Sequence, residues 1–275
     1  MTDANSALLA ELVASGLERR EARWLMEEFF IGEDIDARRA VRAAAERRLA
    51  GEPLQYVLGH WPFRGLDLDV DPRVLIPRPE TEELVSVALA QLAARDLASP
   101  LIVDLGCGSG AIGLALLDEL ARRGVRANVI ALDVSRDALD VARRNALKHG
   151  LHHVSFVLSS WFDELDASLR GRVDLVVANP PYVGAREYPN LERVLDYEPR
   201  GALVARDDQG VEGFFDVGRI VQEAPAWLSP EGVLVCEHGE NHGDAAQRAA
   251  RDAGFGDVRD VKDLAGKDRI LVATK

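Results

Sequence analysis

The apolar positions of the first fifty residues recur every three or four residues, which is the spacing of one face of a helix. They are Leu8, Leu9, Leu12, Val13, Trp24, Leu25, Phe29 and Phe30. Residues 38–50 are rich in alanine and arginine, both of which favour helices, and Gly51-Glu52-Pro53 ends the segment. The pattern predicts a small helical domain at the start of the chain.

A different pattern follows, in which apolar residues alternate with charged ones and predict a short hairpin with one buried face. Its apolar members are Phe63, Leu66, Leu68 and Val70. The prolines of the next segment, residues 75–85, cannot lie inside a helix, so a helix is expected to open at Glu80 or Thr81. We therefore place a helical domain with a hairpin linker at residues 1–73 and a second domain at residues 74–275.

Beyond residue 100, short apolar runs alternate with helical patterns. Strands are predicted at 101–105, 128–134, 154–158, 173–178, 232–238, 257–261 and 268–275, and helices at 111–122, 136–149, 214–228 and 244–253. Such alternation is typical of a parallel sheet covered by helices on both faces. Because only a short link joins the last two strands, one of them must run antiparallel. The predicted fold is α/β, a doubly wound, mostly parallel seven-stranded sheet with an antiparallel strand.

Charge and cysteine content narrow the function classes. The net charge of −13 repels phosphate backbones, so binding to nucleic acid or to an anionic membrane is not expected. Two cysteines are too few for a disulfide framework or a four-thiolate zinc site, and the histidine pairs spaced by four have no evident third ligand, so no metal is predicted. The start of the chain lacks a secretory pattern, and no apolar stretch approaches the roughly 20 residues of a membrane helix. The expected location is the cytoplasm.

The first strand of the second domain ends in a glycine-rich turn that leads into a helix. Its sequence is Asp-Leu-Gly-Cys-Gly-Ser-Gly at 104–110, and the next strand ends in Asp133. Glycines let a ligand touch the main chain, and an acidic residue at the second strand accepts hydrogen bonds from ribose hydroxyls. Neither the dinucleotide fingerprint nor a P-loop is present. The turn resembles the cofactor loop of class I S-adenosylmethionine-dependent methyltransferases, whose positively charged cofactor Asp104 would favour.

The fourth predicted strand runs into Asn179-Pro180-Pro181-Tyr182. The two prolines fix the backbone and remove two N–H donors, so the turn presents the Asn179 oxygen and main-chain carbonyls as acceptors. Acceptors suit a substrate that carries an NH2 group, and Tyr182 offers a flat face to a planar one. The substrate is then a primary amide or a base with an exocyclic amine. The motif looks like the active site of methyltransferases that act on glutamine, adenine or cytosine.

The chain as a whole resembles the bacterial glutamine methyltransferases of peptide chain release factors. The resemblance rests on residues 53–70, 74–85, 103–116, 131–139, 179–183, 198–210 and 237–239. It implies S-adenosylmethionine as cofactor and the glutamine of the Gly-Gly-Gln loop of release factors as substrate, methylated on its side-chain nitrogen. The helical domain would dock the release factor. The implied cofactor-binding residues are Gly106, Cys107, Gly108, Ser109, Gly110, Asp133, Trp161 and Asn179. The implied catalytic residues are Asn179, Pro180 and Tyr182, and the implied substrate-binding residues are these three and Pro181.

Three alternatives remain beside this interpretation. A related family methylates a glutamine of a ribosomal protein, but its corresponding loop resembles VPRSPIAEL, whereas this chain has IPRPETEEL at 76–84. An adenine methyltransferase of DNA or RNA would share the Asn-Pro-Pro-Tyr chemistry, but it needs a basic, aromatic-rich groove. The net charge of −13 and the aromatic content of 6% argue against such a groove. A non-catalytic binding module would have no need of all three intact motifs.

Overall fold

The computed structural model describes residues 3–30, 35–95, 97–206, 210–263 and 265–275. Positions 207–209, which belong to one of the stretches that carry the family resemblance, lie outside the described residues. Within the described ranges, no helix has the length and apolar character needed to cross a bilayer.

Four helices form the N-terminal part: α1 (Asp3–Ala14), α2 (Arg19–Phe29), α3 (Ile35–Leu49) and the short α4 (Leu54–Leu58). Their apolar faces meet in a cluster of their own, in which Leu8, Leu12, Leu25 and Val41 are buried. Val13 departs from the predicted face, because its side chain is 36% exposed. The cluster ends at α4, whose Leu54 and Val57 complete it.

The predicted hairpin follows as β1 (His60–Phe63) and β2 (Leu66–Asp69), paired antiparallel. Its inward side chains, Phe63, Leu66 and Leu68, belong to the same buried cluster as the helices and strands of the second part. Asn145, fully buried, also joins these parts: its side-chain oxygen accepts from the Asp69 N–H (2.7 Å), and its side-chain nitrogen donates to the Ser109 carbonyl (2.9 Å). The hairpin is therefore packed as part of the sheet domain's core.

The second part contains α5 (Pro79–Ala93), β3 (Leu101–Leu105), α6 (Ala111–Arg122), β4 (Asn128–Asp133), α7 (Arg136–Lys148), β5 (Val154–Leu158), β6 (Val173–Ala178), α8 (Arg200–Leu203), α9 (Phe215–Glu223), β7 (Leu228–Glu237), α10 (Gly243–Asp252), β8 (Asp257–Lys262) and β9 (Asp268–Thr274). The strands form one sheet in the order β5-β4-β3-β6-β7-β9-β8. Neighbours are parallel except at β9, which is antiparallel to both β7 and β8. The predicted fold class is confirmed.

Several element boundaries differ from the prediction by one or more residues, and two of the differences involve a proline. The helix predicted at 214–228 ends at Glu223, since Pro225 lacks the N–H that would continue it; a single 3-10 turn (Ala224–Ala226) follows, and β7 begins at Leu228. The helix expected to open at Glu80 or Thr81 begins instead at Pro79, because the first helical position tolerates proline. Thr81 is thereby free of any capping role, and its side chain is 4% exposed.

The segment between β6 and α9, called the crossing segment below, runs from the sheet back to the helical part. Its middle contains two 3-10 turns, at Tyr188–Asn190 and Arg193–Tyr197. The Tyr197 hydroxyl donates to the Ala50 carbonyl (3.2 Å), directly after α3. The buried Glu198 carboxylate accepts from the Ile76 N–H (3.0 Å) and from Arg78 (2.6 Å). The segment thus ties the end of α3 to the stretch that precedes α5.

Candidate active site

A cavity of about 420 Å³ lies at the carboxyl ends of the central strands, where open α/β sheets bind their ligands. Its volume is within the range of small-molecule sites, about 300–1,000 Å³. Its walls come from the glycine turn, the end of β4, the segment after β5, the turn after β6 and the crossing segment. The residues that line it include Gly106, Gly108, Asp133, Trp161, Asn179 and Asp216.

The glycine turn takes a backbone path that favours glycine. Gly106, Gly108 and Gly110 have φ values of 69°, 53° and 83°, in the left-handed region. The N–H groups of Gly106 and Cys107 donate to the Leu132 carbonyl (2.8 and 2.9 Å), which fixes the turn to β4. A Cβ atom on Gly106 would lie 3.2 Å from the Trp161 ring. The absence of side chains here leaves the main chain open to a ligand.

Of the predicted turn residues, Gly106 and Gly108 line the cavity. Cys107, Ser109 and Gly110 are buried behind it. Gly110 precedes the first residue of α6, and the Ser109 carbonyl accepts from Asn145. Burial raises the pKa of the Cys107 thiol, which is a free, buried side chain.

Asp133 lies at the end of β4 and lines the cavity. One carboxylate oxygen accepts from the Gly108 N–H (2.9 Å) and the other from the Ser135 N–H (2.8 Å). Burial raises the pKa of Asp133, and the N–H donors of Ser135 and Gly108 oppose that change. The carboxylate keeps further lone pairs for a ligand that offers hydroxyl donors, as a ribose does.

Trp161 forms the opposite wall, and sequence reasoning missed the residue that holds it. Its backbone has a φ of 53°, unusual for a bulky residue and found where surrounding contacts enforce it. The indole Nε1–H donates to a carboxylate oxygen of Asp216 (3.1 Å), which is 2% exposed. Arg206 binds the same carboxylate through its side chain (2.8 Å) and its N–H (3.1 Å). Asp216 therefore joins the indole to the crossing segment.

Asp104 lies behind the turn. One of its oxygens accepts from the Gly113 N–H (2.9 Å), and the other is buried without a hydrogen-bond partner among the described residues. Burial raises the pKa of Asp104 to about 7. The hydrogen bond from the Gly113 N–H favours the ionised form of the carboxyl and opposes that change in pKa.

The Asn-Pro-Pro-Tyr turn directly follows β6. Asn179 and Pro181 line the cavity, Pro180 is buried, and Tyr182 points away toward β7, where its hydroxyl donates to Glu237 (3.1 Å). Burial raises the pKa of Tyr182, and the neighbouring charge of Glu237 acts in the same direction. The side of Asn179 away from the cavity meets Thr81: its Nδ2 donates to the Thr81 hydroxyl (3.0 Å).

Thr81 and Glu237 complete this part of the site, a role that the sequence analysis does not assign to them. The sequence predicts Thr81 as one possible start of a helix and places Glu237 in a stretch that carries the family resemblance. Instead, the Thr81 hydroxyl donates to Glu237 (2.8 Å), whose side chain is almost fully buried with the residue 1% exposed. Burial raises the pKa of Glu237, while hydrogen bonds from Thr81 and Tyr182 and the charge of Arg269 oppose that change. The contact joins residues 156 positions apart, so no local pattern indicates it.

Of the histidines spaced by four, His238 and His242 are used in other contacts. His238 pairs with Asp260 (2.7 Å) and faces the Gly239 carbonyl (2.9 Å). His242 faces the Glu212 carbonyl (2.9 Å), and burial lowers its pKa. Across the described ranges, no group of three or more potential metal ligands converges on one point.

Comparisons with known proteins identify the family of the chain. A family model described as a methyltransferase domain matches residues 100–263. Two curated relatives are named release factor glutamine methyltransferase. The Bordetella pertussis relative is 40% identical over 96% of this chain and 97% of its own length. The Burkholderia pseudomallei relative is 41% identical over 98% of this chain and 96% of its own length.

Solved structures share the fold. A methyltransferase of Pyrococcus furiosus has a TM-score of 0.52 at 17% identity and covers 83% of this chain and 95% of its own. An rRNA methyltransferase of Thermus thermophilus, solved with AdoMet and guanosine, has a TM-score of 0.54 at 19% identity and covers 78% of this chain and 49% of its own. At these identities the likeness concerns the fold alone.

Proposed function

The chain belongs to the release factor glutamine methyltransferases, and from that premise we propose that it methylates the side-chain amide nitrogen of the glutamine in the Gly-Gly-Gln motif of a peptide chain release factor. The methyl donor is S-adenosylmethionine. One observation carries the proposal: Asn179, on a turn without N–H donors at its two prolines, borders the same cavity as the glycine turn and Asp133. Translation takes place in the cytoplasm, where we place the protein.

The residues of the cavity fit the cofactor. The glycine turn leaves main chain open where a side chain on Gly106 would crowd the Trp161 ring. Asp133 would hold the ribose hydroxyls, and Trp161 would flank the adenine, to which its flat indole is suited. The unpartnered oxygen of Asp104 adds negative character behind the turn. When bound, S-adenosylmethionine supplies an electrophilic methyl carbon.

The remaining task of the protein is to position a poor nucleophile. The nitrogen lone pair of an amide is delocalised into its carbonyl, so no side chain gains much by acting as a base before the transfer. Holding the amide N–H bonds on the Asn179 oxygen and the Pro180 carbonyl instead restricts the nitrogen to a productive orientation. Positioning of this kind contributes up to about 7–11 kcal/mol to a rate enhancement.

Locating the transferred methyl group tests the proposed function. The protein is incubated with labelled S-adenosylmethionine and, separately, with a release factor, a ribosomal protein or DNA, and each product is digested and analysed by mass spectrometry. We expect a gain of one methyl group on the glutamine of the Gly-Gly-Gln peptide of the release factor. Methylation of the ribosomal protein or of adenine, with the release factor unmodified, would replace this proposal by the corresponding alternative.

We also propose that residues 1–73, the helical part with its hairpin linker, dock the release factor, and residues 74–275 carry the transfer. The separate apolar cluster of α1–α4 supports a unit of this kind. Hydrogen exchange provides the measurement. Adding the release factor should slow exchange of backbone amides within α1–α3 (residues 3–49). Protection limited to the sheet domain would contradict the docking role.

Replacing Asp133 by alanine is expected to weaken cofactor binding. The change removes the acceptor of the Gly108 and Ser135 N–H groups and the partner of the ribose. Hydrogen bonds to a charged group are worth enough to raise the Kd of S-adenosylmethionine by about tenfold or more. Calorimetric titration measures the effect, and D137A, which alters an exposed carboxylate on the first turn of α7, is the matched control. Equal affinity in D133A and D137A would remove Asp133 from the binding site.

A further inference from the structure

A chain of hydrogen bonds connects the cavity to a buried carboxylate. It runs from the Asn179 amide nitrogen to the Thr81 hydroxyl (3.0 Å) and from that hydroxyl to Glu237 (2.8 Å). The Tyr182 hydroxyl reaches the other oxygen of the same carboxylate (3.1 Å). Thr81 and Glu237 are 4% and 1% exposed, so water does not compete for these contacts. Neither residue lines the cavity wall formed by Asn179.

The available protons fix which group donates and which accepts in each of these hydrogen bonds. An ionised carboxylate only accepts hydrogen bonds, so the one hydroxyl proton of Thr81 is committed to Glu237. The Thr81 oxygen then has only lone pairs left for Asn179. An amide oxygen facing those lone pairs would be repelled, whereas an amide nitrogen donates to them. Asn179 must therefore turn its nitrogen toward Thr81 and its oxygen to the opposite side of the amide.

We propose that Glu237 and Thr81 are positioning residues that orient the Asn179 amide so that its oxygen, and not its nitrogen, meets the NH2 group of the substrate. This inference rests on the proposed function, because only an NH2-bearing substrate needs an acceptor there. The same carboxylate fixes the Tyr182 hydroxyl as a donor, which holds that ring beside the turn. The orientation of Asn179 and the position of Tyr182 then both depend on one buried negative charge.

Charged and titratable groups from each neighbouring element surround Glu237. Arg269 of β9 lies near it and places its guanidinium 5.9 Å from the Tyr182 ring centroid. Glu80 of α5 adds a second negative charge that opposes ionisation of Glu237, and Tyr182 is its neutral hydrogen-bond donor. Burial has the largest effect on the pKa of Glu237, and these groups, with Thr81, modify it.

The arrangement predicts an acid limb in the pH profile. Burial raises the pKa of Glu237 above the ordinary 4.5, so the group takes up its proton at a higher pH than an exposed glutamate. Below that pKa the carboxylic acid has a proton to donate to Thr81, whose own proton is then free for the Asn179 oxygen. The Asn179 amide then rotates by half a turn, so its oxygen no longer faces the substrate. We therefore expect kcat to fall as the pH is lowered through the pKa of Glu237.

The paired variants T81V and T81S test the orientation. Valine has the shape of threonine without the hydroxyl, and serine keeps the hydroxyl. Loss of one buried hydrogen-bond partner predicts a kcat for T81V lower by about tenfold or more, with the Kd of S-adenosylmethionine within about twofold of the wild-type value. T81S should recover most of that loss. A T81V enzyme with wild-type kcat would overturn the proposal.

E237Q provides a second test that does not depend on the Thr81 variants folding. The side-chain amide of glutamine has one oxygen that accepts and one nitrogen that donates. The hydroxyl of either Thr81 or Tyr182 must therefore accept a hydrogen bond from residue 237 instead of donating one. The orientations then mix, and kcat is expected to fall by about threefold or more at neutral pH. Since glutamine does not titrate, the acid limb of the wild-type profile should vanish. A wild-type rate together with an unchanged acid limb would contradict the proposal.

A measurement without substrate separates this inference from the proposed function. The side-chain NH2 resonance of Asn179, assigned by its absence in N179A, reports on the bond to Thr81. We expect it to shift in T81V, to stay near its wild-type position in T81S, and to move as Glu237 is titrated. An unchanged resonance in T81V overturns the orientation. A wild-type protein that leaves every release factor unmethylated but shows these shifts overturns only the proposed function.

Discussion

Replacing Asn179 by alanine should remove most of the methyl transfer, with kcat/KM for the release factor lower by about a hundredfold or more. The side chain lines the cavity and offers an acceptor to the substrate amide, on a turn whose prolines have no N–H. Alanine leaves the amide without its acceptor and the Thr81 hydroxyl without its donor. The loss should appear in kcat more than in cofactor affinity, because orientation of the nitrogen is what changes.

The N179A measurement needs a control with the same chemical change elsewhere. N128A removes an exposed asparagine side chain at the start of β4, at the end of the sheet opposite the cavity. We expect N128A to retain wild-type kinetics. Single-turnover methylation of the release factor, followed by mass spectrometry, gives the rate for each variant. An N179A protein with more than half of the wild-type rate would exclude the proposed amide clamp.

Replacing Tyr182 by alanine should lower methyl transfer by more than about tenfold. Alanine removes both the aromatic face and the hydroxyl that donates to Glu237, and it leaves that buried carboxylate with Thr81 as its remaining hydroxyl donor. Buried acceptors that lose a partner are costly, so the turn should also lose rigidity.

Phenylalanine at the same position separates the two contributions of Tyr182. Y182F keeps the ring and loses only the hydroxyl, so its rate should lie between those of the wild type and Y182A. The comparison uses kcat with the release factor and thermal unfolding without it. Equal rates for Y182F and Y182A would assign the whole effect to the hydroxyl and leave the ring without a role in binding the substrate.

The parts of the site that the sequence predicted are those in which neighbouring residues act together. The glycine turn, Asp133 and the Asn-Pro-Pro-Tyr turn each combine the end of a strand with residues next to it, so composition and spacing are informative there. Parallel strands then bring their carboxyl ends to one edge of the sheet. The location of the cavity followed from these local features and the fold class.

The residues that the sequence did not predict act across long separations. Asp216 meets Trp161 from 55 positions away, and Glu237 meets Thr81 from 156. Each pairing depends on how a helix packs against the sheet, which hydrophobic periodicity does not specify. Thr81 illustrates the difficulty: a threonine near the start of a helix usually caps it, and only the start at Pro79 moves it into the first turn facing Asn179.

The packing of the hairpin determines where the chain tolerates recombination. Because Phe63, Leu66 and Leu68 fill the core of the sheet domain, a chimaera joined after the hairpin would leave a hole under the cofactor turn. A junction near Gly51, before α4, exchanges α1–α3 and keeps every side chain of that core. The incoming helices need to match Leu54 and Val57 of α4, the carbonyl that receives the Tyr197 hydroxyl, and the contacts that α2 makes with Trp61 and His60 of the hairpin. A chimaera joined at this one peptide bond would therefore exchange the proposed docking helices and leave the proposed transfer site unchanged.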